Sequence, residues 1–333
     1  MKNYNYLIYT DGFNEIDDFF FKEVASNTNV HIVRKGHVFR SKLIQKIFKI
    51  HTSFRLNNIL KLPFQSIWYR FLNFRFSNSN PTIHIFFSSW YYPDYFKYIK
   101  SLSPQDRIII YFGDTVESKK KNIKKLSIKK LKTETDLILS YNDKDVKRYN
   151  LIYLPLCYSK LKDFSKLQSV NHYDFVFIGA SRYRFQQILS VYEKIKKSSY
   201  SYYFYVVNSG NVNYKSNDPN FVISDKPLGF LYYLSYIINS KWIIEILDSG
   251  TVGTTLRFWD AVMYNKGLIT NNKNVTNSKF YNKEYILLHD EFENISLDDL
   301  KMDNNIEYYY SGENSPQNFL SQITKILEKE LGE

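Results

Sequence analysis

Short apolar runs of strand length alternate with helix-like segments along the whole chain. In the first half these runs occupy residues 6–10, 30–34, 82–87, 107–112 and 136–140. In the second half they occupy residues 174–179, 201–207, 220–223, 242–247 and 267–271. Strands that alternate with helices predict parallel sheets covered by helices on both faces. We therefore expect an α/β chain with two tandem Rossmann-like, doubly wound parallel-sheet domains facing a cleft.

A polar stretch at residues 159–172 separates the two series of strands. We accordingly predict an N-terminal domain over residues 1–158 and a C-terminal domain over residues 170–312. A final amphipathic segment at residues 315–333 has the apolar spacing of a helix. This helix could pack back on the N-terminal domain.

Positive charge is concentrated in the first half of the chain. Through residue 165 there are 28 Lys and Arg against 14 Asp and Glu, whereas the remainder carries 17 against 19. No acidic residue occurs between Glu23 and Asp94. Such an asymmetry predicts an anionic partner for the N-terminal domain.

Within this acid-free stretch a basic amphipathic helix is predicted. Leu43, Ile47 and Ile50, with Ile44 and Phe48 beside them, fit one helical face, and lysines fit another. Aromatic side chains follow as far as residue 76, and this mixture suits the headgroup boundary of an anionic membrane. Residues 34–76 could therefore lie on a membrane surface. The alternative is an ordinary surface helix with a solvated lysine face.

Other features narrow the class of protein. The single cysteine, Cys157, excludes an internal disulfide and a cysteine-based zinc cluster. The chain starts without a signal peptide and contains no run of about 18 apolar residues, so we expect a cytoplasmic protein, at most peripheral on the inner face of the cell membrane. The chain is basic, but it contains no nucleic-acid-binding motif. We therefore expect no nucleic acid partner.

Two strand-to-helix turns in the second half could each hold an anion. In the first, an apolar strand ends at Gly179 and is followed by Arg182 and Arg184. Glycine lets a ligand approach the backbone, free amides at a helix start favour anions, and arginine offers a fork for phosphate oxygens. The alternative is a glycine required only for steric reasons.

The second turn contains Gly253, a helix start at Thr254 or Thr255, and Arg257 in the first turn. Its unsatisfied amides form a second anion cradle, and two cradles in one domain suggest a diphosphate. Asp260 is predicted on the same helix face as Arg257, where its carboxylate could accept both hydroxyls of a ribose. The alternative is an exposed helix acid.

A catalytic base for sugar transfer is expected at a strand end of the N-terminal domain. Asp11 follows the first strand and ranks first, and Asp114 follows the fourth and ranks second. Either aspartate could instead be a simple helix cap. No metal is required if arginines and helix amides neutralise the leaving diphosphate.

Several segments together resemble a known family. They are YFGDTV at residues 111–116, SYNDKD at 140–145, YLPL at 153–156, YDFVFIG at 173–179, GTTLRFWDA at 253–261 and KGLITNN at 266–272. This set is similar to GT-B-type bacterial glycosyltransferases of the lipopolysaccharide and capsular polysaccharide branch. Related retaining enzymes carry an acid pair here, of which the second acid falls on Asp260 and the first would fall on Val252.

The resemblance implies a glycosyltransferase with a UDP-, GDP- or CDP-linked sugar donor in the C-terminal domain. Its acceptor would be a glycan or lipid-linked glycan on the N-terminal domain, at the cytoplasmic membrane face. Two alternatives stay open. One is a phosphotransferase that moves glycerol phosphate or a similar group to a capsule glycan, and the other is a non-catalytic GT-B-like binding protein.

Overall fold

The computed structural model describes residues 3–11, 19–209, 212–247, 253–289, 295–297, 300, 302 and 305–332. The chain divides into two compact units. The first comprises residues 1–159 and 312–333, and the second comprises residues 160–311. Each unit contains a six-stranded sheet in which every recorded strand pair is parallel.

The strands of the first sheet are β1 (Asn5–Thr10), β2 (Val30–Arg34), β3 (Thr82–Phe87), β4 (Arg107–Phe112), β5 (Leu137–Ser140) and β6 (Ile152–Tyr153). Those of the second are β7 (Tyr173–Ala180), β8 (Tyr202–Val207), β9 (Phe221–Ser224), β10 (Ser240–Glu245), β11 (Gly267–Thr270) and β12 (Ile286–Leu288). The first sheet has the order β2-β1-β3-β4-β5-β6 and the second β12-β11-β10-β7-β8-β9. The second order is that of the classical dinucleotide-binding sheet.

Helices connect the strands and cover the sheets. Along the chain they are α1 (Lys42–His51), α2 (Phe54–Ile59), α3 (Tyr69–Leu72), α4 (Pro93–Leu102), α5 (Val116–Asn122), α6 (Ile128–Glu134), α7 (Asp143–Tyr149), α8 (Phe185–Lys196), α9 (Phe230–Ile238), α10 (Leu256–Tyr264) and α11 (Pro316–Leu331). The prediction of two Rossmann-like, doubly wound parallel sheets is confirmed. Strands β6 and β12 were not predicted, because two or three residues carry too little periodicity.

Alternate residues of the first sheet enter two separate cores, as the pleat of a strand requires. Leu7 and Tyr9 of β1 belong to one core, and Ile8 belongs to the other. The second of these cores also contains Phe319 and Ile323 from α11. The last helix of the chain is therefore part of the interior of the first unit.

Helix α1 buries a different face from the one its apolar pattern suggests. Gln45 and Phe48 are buried, whereas Leu43, Ile47 and Ile50 are 68%, 48% and 49% exposed. Gln45 is drawn inward because its side-chain amide donates to the carbonyl of Lys35 and accepts from the amide of Phe39. The predicted helix is confirmed, but most of its apolar row faces solvent. Among the residues the structure describes, no helix is long and apolar enough to span a bilayer.

Candidate functional site

The order of strands in the second sheet defines where a ligand should bind. Strands β7 and β10 are neighbours at its centre, and the chain leaves them toward opposite edges of the sheet. At such a switch point the two helical connections diverge and leave a crevice beside the carboxyl ends of the strands. Gly179 lies at this end of β7, and Glu245 ends β10.

Two arginines bridge the strand ends at this crevice. Arg184 donates from Nε to the carbonyl of Ala180 at 2.9 Å and from Nη1 to the carbonyl of Ile246. Arg257, in the first turn of α10, donates from Nη2 to the carbonyl of Ile178. Each guanidinium thus holds a fixed position at the switch point. A guanidinium has five N–H donors in a planar fork, so such a pair can also engage the oxygens of a diphosphate.

Gly179 is the residue that makes room for these guanidinium groups. A Cβ at this position would lie 2.7 Å from Nη2 of Arg257 and 3.3 Å from Nη2 of Arg184. We expected the glycine to let a ligand approach the backbone, but in the structure a guanidinium takes up that space. Nε of Arg257 is buried and has no hydrogen-bond partner among the described residues.

The start of α10 is fixed by buried polar contacts. Thr255 is the N-cap, and its hydroxyl accepts from the amide of Phe258 and donates to the carboxylate of Glu245. Glu245 is fully buried and also accepts from the hydroxyl of Thr270 on the neighbouring strand. The hydroxyl of Thr254 accepts from the indole N–H of Trp259 at 3.2 Å. The first amides of α10 are consequently held beside Arg257, where they favour an anion.

Two asparagines beyond β11 were not assigned a role from the sequence. The side-chain oxygen of Asn271 accepts from the amide of Leu247 at 2.8 Å, and Nδ2 of Asn272 donates to the carbonyl of Gly253 at 2.9 Å. They therefore fix the chain on both sides of residues 248–252. Val252 belongs to that segment and lies outside the described residues. The available signal was the run of polar residues Thr270 to Asn272 directly at a strand end.

Asp260 and Arg182 have environments that differ from each other. Asp260 is fully buried and accepts a hydrogen bond from the hydroxyl of Tyr233. Burial, followed by the charge of Asp260, raises the pKa of that tyrosine well above its ordinary value. Arg182 is exposed and has a left-handed backbone with φ of 39°, and its amide donates to the hydroxyl of Ser209. Arg184 and Arg257 share Gly179 as a neighbour, whereas the backbone amide of Arg182 contacts the loop after β8.

The two aspartates of the first unit also lie at strand ends. The first sheet has its switch point between β1 and β3, and Asp11 directly follows β1. Asp114 follows β4, and its carboxylate accepts from the amide of Thr115 at 2.7 Å and from the hydroxyl of Ser118 at 2.9 Å. Both oxygens of Asp114 are thus engaged at the start of α5. Among the described residues, no group of three or more His, Cys, Asp or Glu is placed to hold a metal ion.

No protein-family model matches the chain, and no curated protein sequence matches it. Solved structures do share its fold. The N-terminal domain of trehalose-6-phosphate phosphatase from Candida albicans has a TM-score of 0.56 at 10% identity, covering 99% of this chain and 97% of that one.

Two α,α-trehalose-phosphate synthases (UDP-forming) also share the fold, at slightly lower TM-scores. The protein from Burkholderia vietnamiensis has a TM-score of 0.52 at 6% identity, with 98% of this chain and 97% of that one covered. The protein from Burkholderia xenovorans, in complex with glucose-6-phosphate, has a TM-score of 0.52 at 7% identity, with 97% and 100% covered. These similarities show the fold, which is the GT-B-like pair of Rossmann-like domains that we predicted.

Proposed function

We propose that the protein is a glycosyltransferase that moves a sugar from a nucleotide-sugar donor to a surface-glycan acceptor. The observation that carries this proposal is the pair of guanidinium groups of Arg184 and Arg257 at the switch point of the second sheet. The GT-B-like fold, shared with two UDP-forming synthases, supports it. The donor would be a UDP-, GDP- or CDP-linked sugar bound by the second unit.

In this proposal the chemistry of the second unit is charge stabilisation. As the bond between the anomeric carbon and the diphosphate breaks, negative charge grows on the leaving oxygens. Arg184, Arg257 and the first amides of α10 would receive that charge, and their positions are fixed in advance by contacts with strand carbonyls and Glu245. Donors arranged in this way would make a divalent metal unnecessary.

The acceptor hydroxyl would come from the side of the first unit. In an inverting transfer a carboxylate takes the proton of the acceptor hydroxyl. At the same time the oxygen of that hydroxyl attacks the anomeric carbon, and the diphosphate leaves. Asp11 remains our first candidate because it directly follows β1 at the switch point of the first sheet. Asp114 is second, since its two oxygens already accept hydrogen bonds from Thr115 and Ser118.

We further propose that the acid-free segment at residues 34–76 rests on an anionic membrane, where the acceptor glycan would be lipid-linked. Its support is a set of exposed apolar side chains next to lysines. Leu43, Ile59, Leu60 and Phe64 are between 68% and 87% exposed. Apolar side chains flanked by cations are typical of segments that enter the headgroup region.

The donor site can be tested by a thermal-shift screen of the protein against UDP, GDP, CDP, ADP and CMP. A ligand at 100 times its dissociation constant adds about 2.7 kcal/mol of stability, which raises the midpoint by a few degrees. We expect a shift with one diphosphate that disappears in Arg257→Ala and persists in Arg148→Ala, an exposed arginine of α7. No shift with any nucleotide would refute the donor site.

Turnover separates the proposed activity from its alternatives. Incubation with the sugar donor of the nucleotide found by the screen should release the free nucleoside diphosphate in the presence of acceptor. Consumption of a cytidine-diphosphate alcohol instead would establish the phosphotransferase. Tight nucleotide binding without turnover, unchanged by Asp11→Asn and Asp114→Asn, would establish the non-catalytic binding protein.

Vesicle co-sedimentation tests the membrane surface independently of the donor. We expect binding to anionic vesicles at low salt that is lost in the double variant Leu43→Asp, Ile47→Asp. Leu102→Asp is the matched control, because Leu102 is 48% exposed at the end of α4, outside the acid-free segment. Absence of binding at low salt would refute this part of the proposal.

A further inference from the structure

We propose that a pocket in the first unit binds an anionic sugar residue of the acceptor. The inference rests on the proposed glycosyl transfer, but the pocket is defined by its own geometry. It has a volume of about 200 Å³, is open to solvent, and is lined by the residues after α1, the residues that follow β3, and the loop between α5 and α6 with the first turn of α6. Pockets that enclose a drug-sized ligand have roughly 300 to 1,000 Å³, so this one suits a single sugar residue.

Aromatic rings form much of the wall of the pocket. Phe54 and Tyr92 stack with their centroids 5.3 Å apart and their planes within 17° of each other, and Tyr69 and Tyr91 also line the space. Aromatic side chains present flat apolar faces, against which the C–H face of a sugar ring can pack. The wall is held in place, because the hydroxyl of Tyr92 donates to the carbonyl of Thr52 at 3.0 Å.

A side-chain network centred on Asn57 holds the segment after α1 in shape without a ligand. Nδ2 of Asn57 donates to the carbonyls of His51 and Ser53, at 3.0 and 2.8 Å. Its oxygen accepts from the amide of Leu62 at 3.0 Å and from Nε2 of Gln65 at 2.6 Å. Every polar position of the Asn57 side chain therefore supports the loop. Because these side chains are already ordered, binding a ligand does not incur the entropic cost of ordering them.

The charge around the pocket favours an anion. Lys61, Lys125 and Lys130 line it. Lys61 contacts the carboxylate of Asp94 at 2.8 Å and Lys130 that of Glu134 at 3.7 Å, so three lysines stand against two carboxylates. A further cation lies behind the aromatic wall. The ammonium of Lys35, which is only 8% exposed, lies 4.7 Å from the centroid of Phe54.

The same ammonium lies 5.0 Å from the centroid of Tyr92 and donates to the carbonyl of Ser89 at 3.3 Å. A buried cation acts through a lower effective dielectric than a solvated one, so Lys35 adds to the positive potential at the rings. Rings for a sugar face and surplus cations for a negative group together define the ligand as a sugar phosphate or a sugar acid. A free sugar phosphate and the head of a lipid-linked sugar phosphate share this chemistry.

Calorimetry on the full chain without nucleotide tests the pocket. The probes are glucose 1-phosphate and glucuronate, with glucose and inorganic phosphate as the neutral and sugar-free controls. We expect both anionic sugars to bind more tightly than either control. The double variant Lys125→Gln, Lys130→Gln should weaken them by about fivefold, the size expected of partly exposed ion pairs.

The matched control is the double variant Lys124→Gln, Lys129→Gln. It removes the same charge from exposed neighbours that do not line the pocket, and it should bind the anionic sugars as the unaltered protein does. Equal binding of glucose would overturn the requirement for charge, and equal binding of inorganic phosphate would overturn the requirement for a sugar. Equal weakening by both double variants, or no binding of any anionic sugar, would overturn the pocket itself.

Two further measurements distinguish the sugar pocket from the donor site and identify the source of the ligand. Nucleotide thermal shifts of the Lys125→Gln, Lys130→Gln variant report on the donor site alone, so loss of donor binding and loss of sugar binding are read independently. A polyprenyl phosphoglucose in nanodiscs then competes with glucose 1-phosphate. If the lipid-linked sugar displaces glucose 1-phosphate at a much lower concentration than free glucose 1-phosphate itself requires, the pocket belongs to a lipid-linked acceptor. If the two are equally potent, the acceptor is soluble.

Discussion

Replacement of Gly179 by alanine tests directly whether the two arginines form a donor site. The new Cβ would lie 2.7 Å from Nη2 of Arg257, well inside the distance of about 3.5 Å at which non-bonded heavy atoms come to rest. The backbone at Gly179 has no positive φ, so alanine is accommodated there without backbone strain. The guanidinium of Arg257 must therefore move, by about 0.8 Å or more.

This displacement removes one hydrogen bond. The substitution of alanine for glycine offsets part of the resulting loss of folding stability. The bond from Arg257 to the carbonyl of Ile178 involves a charged donor, for which about 1.5 to 3 kcal/mol is typical. Alanine in place of glycine within a strand gains about 0.5 to 1 kcal/mol of conformational entropy. We therefore expect a net loss of roughly 1 to 2 kcal/mol of folding stability. The displaced guanidinium should also weaken one charge-assisted contact with the diphosphate, and a loss of about 1.4 kcal/mol of binding free energy lowers the donor affinity about tenfold.

Urea denaturation gives the folding stability of Gly179→Ala. Calorimetry with the nucleoside diphosphate found by the thermal-shift screen gives the affinity of this variant for it. Gly113→Ala is the control, because a Cβ at Gly113, directly after β4, meets its nearest atoms at 3.5 Å, an ordinary contact. That variant should change neither quantity. If Gly179→Ala binds the diphosphate as tightly as the unaltered protein, the arginines do not contact the phosphates and the reasoning is refuted.

Three other perturbations test contacts of the second unit. In Gly267→Ala the new Cβ would lie 2.2 Å from the buried ring of Trp242, so we expect a loss of about 3 kcal/mol or more in urea denaturation. Asn272→Ala removes a buried bond to the carbonyl of Gly253, which should cost about 1 to 3 kcal/mol and weaken nucleotide binding in the thermal-shift screen. Burial lowers the pKa of Lys266 to about 8, so the unfolded chain binds more protons above that pH, and urea midpoints should rise from pH 8 to 10 relative to Lys266→Met.

Each of these predictions has its own contrary result. A Gly267→Ala protein as stable as the original would show that the β10–β11 pair can separate freely. Unchanged nucleotide binding in Asn272→Ala, at reduced stability, would limit this residue to folding. Parallel pH profiles for the protein and Lys266→Met would show that Lys266 keeps its ordinary pKa.

The sheets could be predicted from the sequence because buried parallel strands are short continuous apolar runs. The arginine and glycine positions could be selected because each side chain suggests its own chemistry. The contacts of Glu245, Asn271 and Asn272 could not, since they link residues on adjacent strands through side-chain geometry that no local pattern encodes. Sequence spacing identifies what stands at a strand end, but it does not identify the partner.

Helix faces were harder to predict, for two different reasons. The spacing of apolar residues placed Asp260 on the polar face of α10, yet every residue from Phe258 to Met263 is buried, so this helix has little polar face. In α1 the reverse occurs, because Gln45 satisfies two backbone groups and turns the apolar row outward. Periodicity reports two faces but does not say which of them meets the core.

The place of α11 in the first unit has a consequence for how the chain is made. The hydroxyls of Tyr6 and Thr324 lie 2.7 Å apart. Phe319, Leu320, Ile323 and Leu327 of α11 fill a core whose other buried members come from residues 4–157. A ribosome adds about 5 to 20 residues per second, so the second unit takes on the order of ten to thirty seconds to emerge. Throughout that interval one core of the first unit lacks the side chains of α11. The unit that is synthesised first is therefore completed last, when its final helix becomes available.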